Sequence, residues 1–263
     1  MPTVNDVLGA IEQIAPARYA FSFDHIGLQV GDPAARVAKI VVSLDPSLAA
    51  ARFARSQGAQ MLVCHHPVIW DPMPSLTYDG YKAGVVRELV EGGVAFAAAH
   101  TNWDCAPGGI NDVLAELIGL RDVRAIGSVS DSEQGGHPIC RVGELPKAMS
   151  ANEFRDWLDV KLATRTLLCA PEGKSVRTVA VCGGAAADEW VHAQGADAFV
   201  TGEVPHHVMV EASEAGVAIA ACGHYATENP GTMRLGDLVA DATGIEVAKF
   251  EPSPGTAGRP HEQ

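Results

Sequence analysis

An internal repeat constrains the fold of this chain more than any other feature of its sequence. The segment KIVVSLDPSLAAARFARSQGAQMLVCHHPV, which begins at Lys39, runs parallel to RTVAVCGGAAADEWVHAQGADAFVTGEVPHH, which begins at Arg177. Further on, EGGVAFAAAHTNWDCAPGG matches EAGVAIAACGHYATENPGT, and LAELIGL matches LVADATGI. Any two strand–helix–strand segments share some such features, but the common H-x-x-x-D/E spacing before a PG pair argues against coincidence.

Both halves alternate short β-branched runs with amphipathic segments, a pattern typical of parallel sheets covered by helices. We therefore expect the α/β class, with two similar interlocked α/β lobes, mostly parallel sheets and a metal site in the cleft between the lobes. The predicted strands are Lys39–Leu44, Met61–Cys64, Val94–Ala99, Val176–Cys182, Ala198–Thr201, Val217–Cys222 and Ile245–Phe250. The predicted helices are Pro46–Ser56, Gly80–Glu91, Gly109–Ile118, Ala186–Ala193, Pro205–Ala215 and Met233–Ala242, after an N-terminal helix capped by Thr3.

The repeat also predicts the domain boundaries. The first lobe covers residues 1–125 and the second covers 174–250. Residues 126–173 form a linking segment, and the whole stretch from Asp122 to Pro171 reads as a linking or edge element with one helix near Ala151–Val160. The tail, residues 251–263, is rich in Pro and Gly and is expected to be disordered.

Composition limits the compartment and the partners. The 263 residues carry a net charge of −13 without a run of Lys or Arg, which disfavours binding to nucleic acid or to anionic membranes. Neither a signal peptide nor an apolar run of roughly 20 residues is visible, so we predict a cytoplasmic protein. The cysteines form no CxxC pair, and we expect them to be reduced. They lie at Cys64, Cys105, Cys140, Cys169, Cys182 and Cys222.

Polar residues with metal-binding chemistry follow three of the predicted strands. His65 and His66 end LVCHHPV, His100 and Asp104 end AAAHTNWD, and AACGHYATE ends in His224 and Glu228. Ligand sites of α/β sheets lie at the carboxyl ends of strands, and imidazole with carboxylate suits Zn, Mn, Fe, Co or Ni. A His-His pair alone is more often structural than metal-binding, but the combination at three strand ends favours metal.

The residues therefore predict a site for two divalent transition-metal ions, of type Zn, Fe, Mn, Co or Ni. Two adjacent histidines alternate in direction along an extended chain, so one strand end can serve two ions. The PG pairs after the acids suggest that both acids lie in turns that enter helices. The predicted ligands are His65, His66, Asp104, His224 and Glu228.

Several segments together resemble the Nif-three-like family, whose members are often described as GTP cyclohydrolase I type 2-like proteins. The segments that carry the resemblance are FDHIGLQVGDP, CHHPVIWDPMPSLT, AAHTNWDCAPGGIND, GADAFVTGEVPHH and CGHYATENPGTMRL, in the same order along nearly the whole chain. The resemblance implies a two-lobed fold with a dinuclear centre and the same five ligands, with Glu228 as the bridge. It also places His100 beside the metals and implies a homo-oligomer, usually a hexameric ring.

Two segments depart from the family pattern. The N-terminal block reads Asp24-His25 where the family usually has Asp-Asn, and the second-half turn reads Pro205-His206-His207 where Lys-Tyr-His is common. Both changes add imidazoles near the predicted cleft. They put in doubt the transfer of a substrate from relatives.

The leading hypothesis is a metal-dependent hydrolase that acts on a nucleotide or phosphorylated small molecule, with GTP as the candidate that the resemblance implies. His100 and His207 are the predicted catalytic residues, because imidazole transfers protons near neutral pH. The alternative is a non-catalytic metal-binding or regulatory ring assembly. A phosphoesterase with an Asp-His-His motif ranks lower, because Cys64 occupies the place of the Asp.

Overall fold

The computed structural model describes residues 1–73, 75–77, 80–129, 136–193 and 195–253. Elements are numbered in chain order. The helices are α1 (Val4–Ile14), α2 (Leu48–Ser56), α3 (Tyr81–Gly92), α4 (Thr101–Cys105), α5 (Ile110–Ile118), α6 (Ala151–Leu162), α7 (His206–Glu214) and α8 (His224–Thr243), with short 3-10 helices at Ala17–Tyr19 and Ala187–Ala193. The strands are β1 (Gly27–Val30), β2 (Lys39–Ser43), β3 (Met61–Cys64), β4 (Ala95–Ala98), β5 (Arg121–Val129), β6 (Pro138–Ser150), β7 (Leu167–Cys169), β8 (Ser175–Val181), β9 (Ala198–Thr201), β10 (Ala218–Ala221) and β11 (Glu246–Lys249).

The described chain divides into two compact units. The first contains residues 1–103 and 232–253, and the second contains residues 104–129 and 136–231. The chain thus leaves the first unit within α4 and returns to it within α8. Within the described ranges, no helix combines the length and the apolar character needed to cross a membrane.

The sheet of the first unit has the strand order β1-β4-β3-β2-β11. β2, β3 and β4 are parallel neighbours, with Ile40 beside Met61 and Met61 beside Ala95. β3 and β4 are buried throughout, because helices α2 and α3 pack their apolar sides on the sheet around Leu62 and Phe96. Strands that are covered on both faces read as continuous apolar runs, which explains MLVC and AFAA.

The sheet of the second unit has the strand order β5-β6-β8-β9-β10-β7. Its centre repeats the arrangement of the first unit, since β8, β9 and β10 are parallel neighbours. Val179, Ala198 and Ala218 lie in the buried core of this sheet, together with Phe154 and Leu158 of α6. Each sequence repeat therefore corresponds to three parallel strands in one sheet.

The prediction of mostly parallel sheets is wrong, because both sheets are mixed. β1 joins β4 antiparallel, β7 joins β10 antiparallel, and β6 is antiparallel to both β5 and β8. The predicted strands are the central parallel ones and β11. β1 and β7 were not predicted, because their side chains are partly exposed and do not form apolar runs.

The stretch from Asp122 to Pro171 is more than a linking element. It supplies most of β5 and the whole of β6 and β7 to the second sheet, and β6 runs over 13 residues. Gly143 and Pro146 interrupt the apolar pattern of β6, which explains why the sequence did not predict it. The helix predicted near Ala151–Val160 is confirmed as α6, which starts with a capping box formed by Ser150 and Glu153.

The last predicted helix, Met233–Ala242, begins nine residues earlier than predicted. Helix α8 starts at His224 and runs through Pro230 and Gly231, which the sequence reading took as a helix entry. A Cβ at Gly231 would lie 2.8 Å from Ile110 Cα, so glycine permits the close approach of α8 to α5. The Pro-Gly pair therefore serves packing inside the helix.

The sequence predicted that each lobe is one continuous stretch of the chain, whereas the first unit consists of two stretches, residues 1–103 and 232–253. β11 pairs in parallel with β2, for example Val247 beside Ile40, so residues 232–250 belong to the first unit. Residues 104–125 lie with the second unit, where α5 packs on β6. Most of the predicted disordered tail, residues 254–263, lies outside the described residues.

Candidate metal centre

The two adjacent histidines of the first unit extend the hydrogen-bond ladder of β3. The backbone nitrogen of His65 donates to Ser43 O at 3.3 Å, and that of His66 donates to Leu44 O at 3.1 Å. The extended backbone sends the two side chains in different directions. His65 is fully buried, whereas His66 is partly buried.

His100 completes a histidine cluster with His65 and His66, which we call the first-unit cluster. One ring nitrogen from each of the three histidines lies within 4.8 Å of the others. The ring centroids of His65 and His100 are 5.0 Å apart, and those of His66 and His100 are 5.7 Å apart. The strand ends of β3 and β4 are parallel neighbours, which is why residues that follow them meet.

The other nitrogen of each imidazole is held by an oxygen atom. His65 Nδ1 lies 2.9 Å from the carbonyl oxygen of Ala99, and His66 Nδ1 lies 2.8 Å from Asp45 Oδ1. A carbonyl or carboxylate oxygen can only accept, so Nδ1 carries the proton and donates in both cases. The Nε2 atoms are therefore left as the metal-binding atoms of these rings.

Asp24 holds His100 in the same way. His100 Nδ1 donates to Asp24 Oδ1 at 2.9 Å, and Thr101 donates to Asp24 Oδ2 through both its backbone nitrogen and its hydroxyl. Burial opposes the ionisation of Asp24, but the hydrogen bond and charge of His100 and the two bonds from Thr101 outweigh it and lower its pKa to about 2. Asp24 is thus a carboxylate that fixes the orientation of His100.

In the second unit, His224 and Glu228 lie one turn apart at the start of α8. His224 Nε2 is 2.8 Å from Glu228 Oε2, and His224 Nδ1 is 2.9 Å from Glu203 Oε1. The i,i+4 spacing places both side chains on one helix face. The converging nitrogen and oxygen, with the second nitrogen held by a carboxylate, are the arrangement of two ligands of one ion.

Glycines give Glu228 and His224 the room that they occupy. Gly184 has a φ of +67°, and a Cβ at this position would overlap Glu228 Oε1 and lie 3.3 Å from His224 Nε2. A Cβ at Gly202 would come within 2.8 Å of His224 Cα. Gly184, in the turn GGAAAD after β8, and Gly202 therefore leave the space that these two side chains occupy.

Asp104 lies in α4 and is buried, with 8% of its surface exposed. Its backbone carbonyl accepts a 3.2 Å hydrogen bond from Asn111 Nδ2, and Asn111 Oδ1 accepts from the nitrogen of Gly183 at 2.7 Å. Asp104 and Glu228 both lie inside helices, so the prediction that they lie in turns before helices is wrong. The PG pairs were misleading because α4 and α8 begin before them.

Arg141 fixes the turn that follows Asp104. It is buried and donates to both carboxylate oxygens of Asp112, at 2.7 and 3.0 Å, and to the carbonyls of Cys105 and Ala106, at 2.9 and 3.2 Å. This set of bonds uses the planar fork of the guanidinium. Arg141 lies in β6, which was not predicted, so its contact with this turn could not be predicted either.

His207, the second predicted catalytic residue, lies in α7 beside His206. His206 and His207 are exposed in the first turn of α7, and no group of three candidate ligands among the described residues includes either of them. Cys64 is fully buried, and burial together with the charge of Asp45 raises the pKa of its thiol. Burial also raises the pKa of the Cys105 thiol.

Two oxygen-bearing residues that hold ligand histidines could have been found from the strand ends. Asp45 follows β2 in the sequence SLDP, at the same sheet edge as His66, and was not predicted as a site residue. Glu203 follows β9 and holds His224 Nδ1. Both follow the rule that polar groups after parallel strands gather at one sheet edge.

The donor set fits a divalent transition metal. His65, His66 and His224 present Nε2 while an oxygen atom holds their Nδ1, and Glu228 places a carboxylate oxygen beside that of His224. Nitrogen and carboxylate ligands of this kind suit Zn, Mn, Fe, Co or Ni.

Residues 2–254 match the model of the Duf34/NIF3 (NGG1p interacting factor 3) family. The chain belongs to the NIF3 family. A Clostridium perfringens member named "GTP cyclohydrolase 1 type 2 homolog" is 30% identical over 248 residues, which cover 93% of this chain and 94% of that protein. A Streptomyces coelicolor member of the same name is 32% identical over 271 residues, which cover 98% of this chain and 95% of that protein. The sequence resemblance to this family is thereby confirmed.

The fold agrees with this membership. The crystal structure of a Bacillus cereus protein related to NIF3 superposes with a TM-score of 0.84 at 21% identity, over 95% of this chain and 97% of that one. The NIF3 structure therefore shares the mixed α/β fold with two sheets that this chain adopts.

Proposed function

We propose that this NIF3 member is a metal-dependent hydrolase that acts on a nucleotide or phosphorylated small molecule. The observation that carries the proposal is the shared state of the three proposed histidine ligands, His65, His66 and His224, each held at Nδ1 by an oxygen atom with Nε2 as the metal-binding nitrogen. The proposed ligands of two divalent transition-metal ions, of type Zn, Fe, Mn, Co or Ni, are His65, His66, Asp104, His224 and Glu228.

The held imidazoles argue for metal because such bonds do a specific task in metal sites. A histidine ligand nearly always donates its second N–H to a carboxylate or carbonyl, which fixes the tautomer and raises the basicity of the ligand nitrogen. Asp45 and Glu203 supply carboxylates to two of the proposed ligands, and Ala99 supplies a carbonyl to His65. Clustered imidazoles without a metal would repel each other on protonation.

When bound, two divalent ions supply a Lewis-acid centre that lowers the pKa of a bound water and favours negative charge in the transition state. His100 is the proposed proton carrier. Asp24 holds the proton of Nδ1, so the ring takes up or releases a proton only at Nε2. The Asp24 carboxylate also stabilises the imidazolium that forms.

Other parts of the functional proposal rest on the sequence and on the names of relatives. His207 remains a second candidate for proton transfer, from the first turn of α7. The name "GTP cyclohydrolase 1 type 2 homolog" makes GTP the first substrate to test. A cytoplasmic homo-oligomer, with a hexamer as the expected state, completes the proposal, and light scattering after size exclusion measures that state.

Metal content is the first test. Untagged protein, purified without chelator, is analysed by inductively coupled plasma mass spectrometry beside His65→Ala, Glu228→Ala and the double variant. We expect about two equivalents of transition metal in the wild type and a large loss in each variant, because the ligands are proposed to act together. His192→Ala is the matched control, since this exposed histidine also lies near a carboxylate, 4.0 Å from Glu189.

The pattern of loss is as informative as its size. If each single variant loses metal as fully as the double variant, residues of the two units serve one centre. If the single losses add up, the first-unit cluster and the His224–Glu228 pair bind metal separately, and the dinuclear assignment is wrong. Equal metal in all proteins, or none in the wild type, contradicts the ligand assignment itself.

Turnover is tested on the metal-loaded protein with GTP, by formate release, and with a panel of phosphoesters. We expect hydrolysis that His100→Gln reduces strongly while metal content is retained. Full metal occupancy with no hydrolysis across the panel would support the non-catalytic metal-binding or regulatory assembly instead.

A further inference from the structure

A cleft of about 460 Å³ lies in the first unit, beside the first-unit cluster. Asp24 and Trp70 line this cleft, and both contact His100. Asp24 Oδ1 accepts from His100 Nδ1 at 2.9 Å, and the ring centroids of Trp70 and His100 are 5.6 Å apart. One end of the cleft therefore reaches the proposed proton carrier.

Two aromatic rings, those of Trp70 and His25, form part of the wall of the cleft. The Trp70 ring stands nearly perpendicular to His25, at 81° and 5.8 Å, and to His100, at 85°. Phe23 lies 6.2 Å from Trp70 and remains 60% exposed. Grouped aromatic rings at the surface indicate a binding site, and a planar heteroaromatic ring can stack on the part of Trp70 that lines the cleft.

Gln29 holds together the two segments that carry His25 and Trp70. Its Nε2 donates to the carbonyls of His25, at 3.0 Å, and Ile69, at 2.9 Å, while its Oε1 accepts from the nitrogens of Val68 and Ile69, both at 2.9 Å. All four hydrogen-bonding positions of the amide are thus in use. The cleft is held open before a ligand arrives, which reduces the entropic cost of binding.

The charge of the cleft selects the part of a ligand that can enter. Asp24 and Asp71 both line the cleft, Asp71 is exposed, and neither Lys nor Arg lines the cleft in the part of the chain that the structure describes. Carboxylates accept hydrogen bonds and repel phosphate. The cleft therefore suits a neutral or cationic ring that carries N–H donors.

We propose that this cleft binds the heteroaromatic ring of the substrate, stacked against Trp70 with an N–H edge directed at Asp71. The assignment rests on the proposed function, since it treats the metal ligands as the reacting end. Among nucleobases, guanine fits best, because its adjacent N1–H and 2-amino donors can pair with both oxygens of one carboxylate. Adenine offers one donor on that edge and fits less well.

The test uses nucleosides, which lack the phosphate. Isothermal titration with guanosine and adenosine is carried out on the full-length protein, both metal-loaded and after dialysis against chelator. We expect guanosine to bind in both states, and Trp70→Leu to weaken it at least about tenfold through lost stacking. Trp157→Leu, which removes a tryptophan from α6 in the other unit, is the matched control and keeps wild-type affinity.

Asp71→Asn separates recognition from simple stacking. We expect it to lower the affinity for guanosine but not for adenosine, which abolishes the preference. The proposal is overturned if the wild type binds neither nucleoside, if Trp70→Leu binds guanosine as well as the wild type, or if Trp70→Leu only changes the oligomeric state. Metal content measured on the same samples tells these failures apart from a failure of the proposed function.

Discussion

His66 donates from Nδ1 to Asp45 Oδ1 at 2.8 Å, and this bond joins the residues that follow two neighbouring parallel strands. His66 follows β3, whereas Asp45 follows β2. The carboxylate fixes the ring so that Nε2 faces away from it. A residue that binds no metal itself thus decides the direction of a proposed ligand.

We expect Asp45→Asn to weaken metal binding about 10- to 100-fold, as loss of an outer-shell carboxylate does in other metal sites. The measurement is competition with a fluorescent chelator at pH 7. Asp156→Asn changes an exposed carboxylate of α6 and should leave the affinity unchanged. Equal affinity in Asp45→Asn and wild type would show that this bond does not support a ligand.

Gly184→Ala should displace the Glu228 side chain from the space that this glycine leaves. The added Cβ would overlap Glu228 Oε1, so we expect metal content to fall sharply even if the protein folds. Gly173→Ala is a closely matched control, because Gly173 has a similar φ of +69° but nothing within 4 Å of an added Cβ. Metal analysis and thermal unfolding of both variants distinguish backbone strain, which they share, from the overlap at Glu228.

Arg141→Lys should destabilise the second unit by about 2–4 kcal/mol, because lysine cannot reproduce the bonds to Asp112 and to the carbonyls of the turn after Asp104. Chemical denaturation measures the loss. Arg177→Lys alters an exposed pair with Glu144 and should change stability by less than about 0.5 kcal/mol. Similarly small losses of stability in both variants would show that the hydrogen bonds of the buried Arg141 guanidinium contribute little.

Asp197 should contribute stability that depends on pH. Burial opposes its ionisation, but hydrogen bonds from the nitrogens of Thr178 and Arg177 and the pair with Lys174, at 3.2 Å, outweigh burial and lower its pKa. A lowered pKa in the folded state gives stability that is present above the unfolded value of about 3.9 and is lost as the pH falls through the folded value.

We therefore expect Asp197→Asn to be less stable than the wild type at pH 7, with a difference that shrinks as the pH falls below about 4. Urea denaturation between pH 2.5 and 7 measures this difference. A constant difference over the whole range would mean that ionisation of Asp197 does not contribute.

The sequence predicted those strands and helices whose residue pattern is contained within a few neighbouring positions. Apolar runs identified β2, β3, β4, β9 and β10 within one residue at each end, because strands buried on both faces leave no polar alternation. Thr3 and the capping box that starts α1 are equally local, since the cap lies within one turn of the helix. The repeat is equally visible in the sequence, and each copy corresponds to three parallel strands in one sheet.

The sequence predicted which residues belong to the candidate site, but not which contacts orient their side chains. The sequence placed His65, His66 and His100 at neighbouring strand ends, and the structure brings these three together. It gave no sign that Asp45 orients a ligand, because that contact spans 21 residues and depends on the pairing of β2 with β3.

What the sequence alone determined is therefore the strand core, the repeat, the family and a set of candidate ligands. Only the tertiary structure decided the antiparallel strands, the return of β11 to the first sheet and the oxygen partners of each imidazole. The physical reason is range: propensity and periodicity act over a few residues, whereas strand pairing and hydrogen bonds to ligands join segments that are distant along the chain.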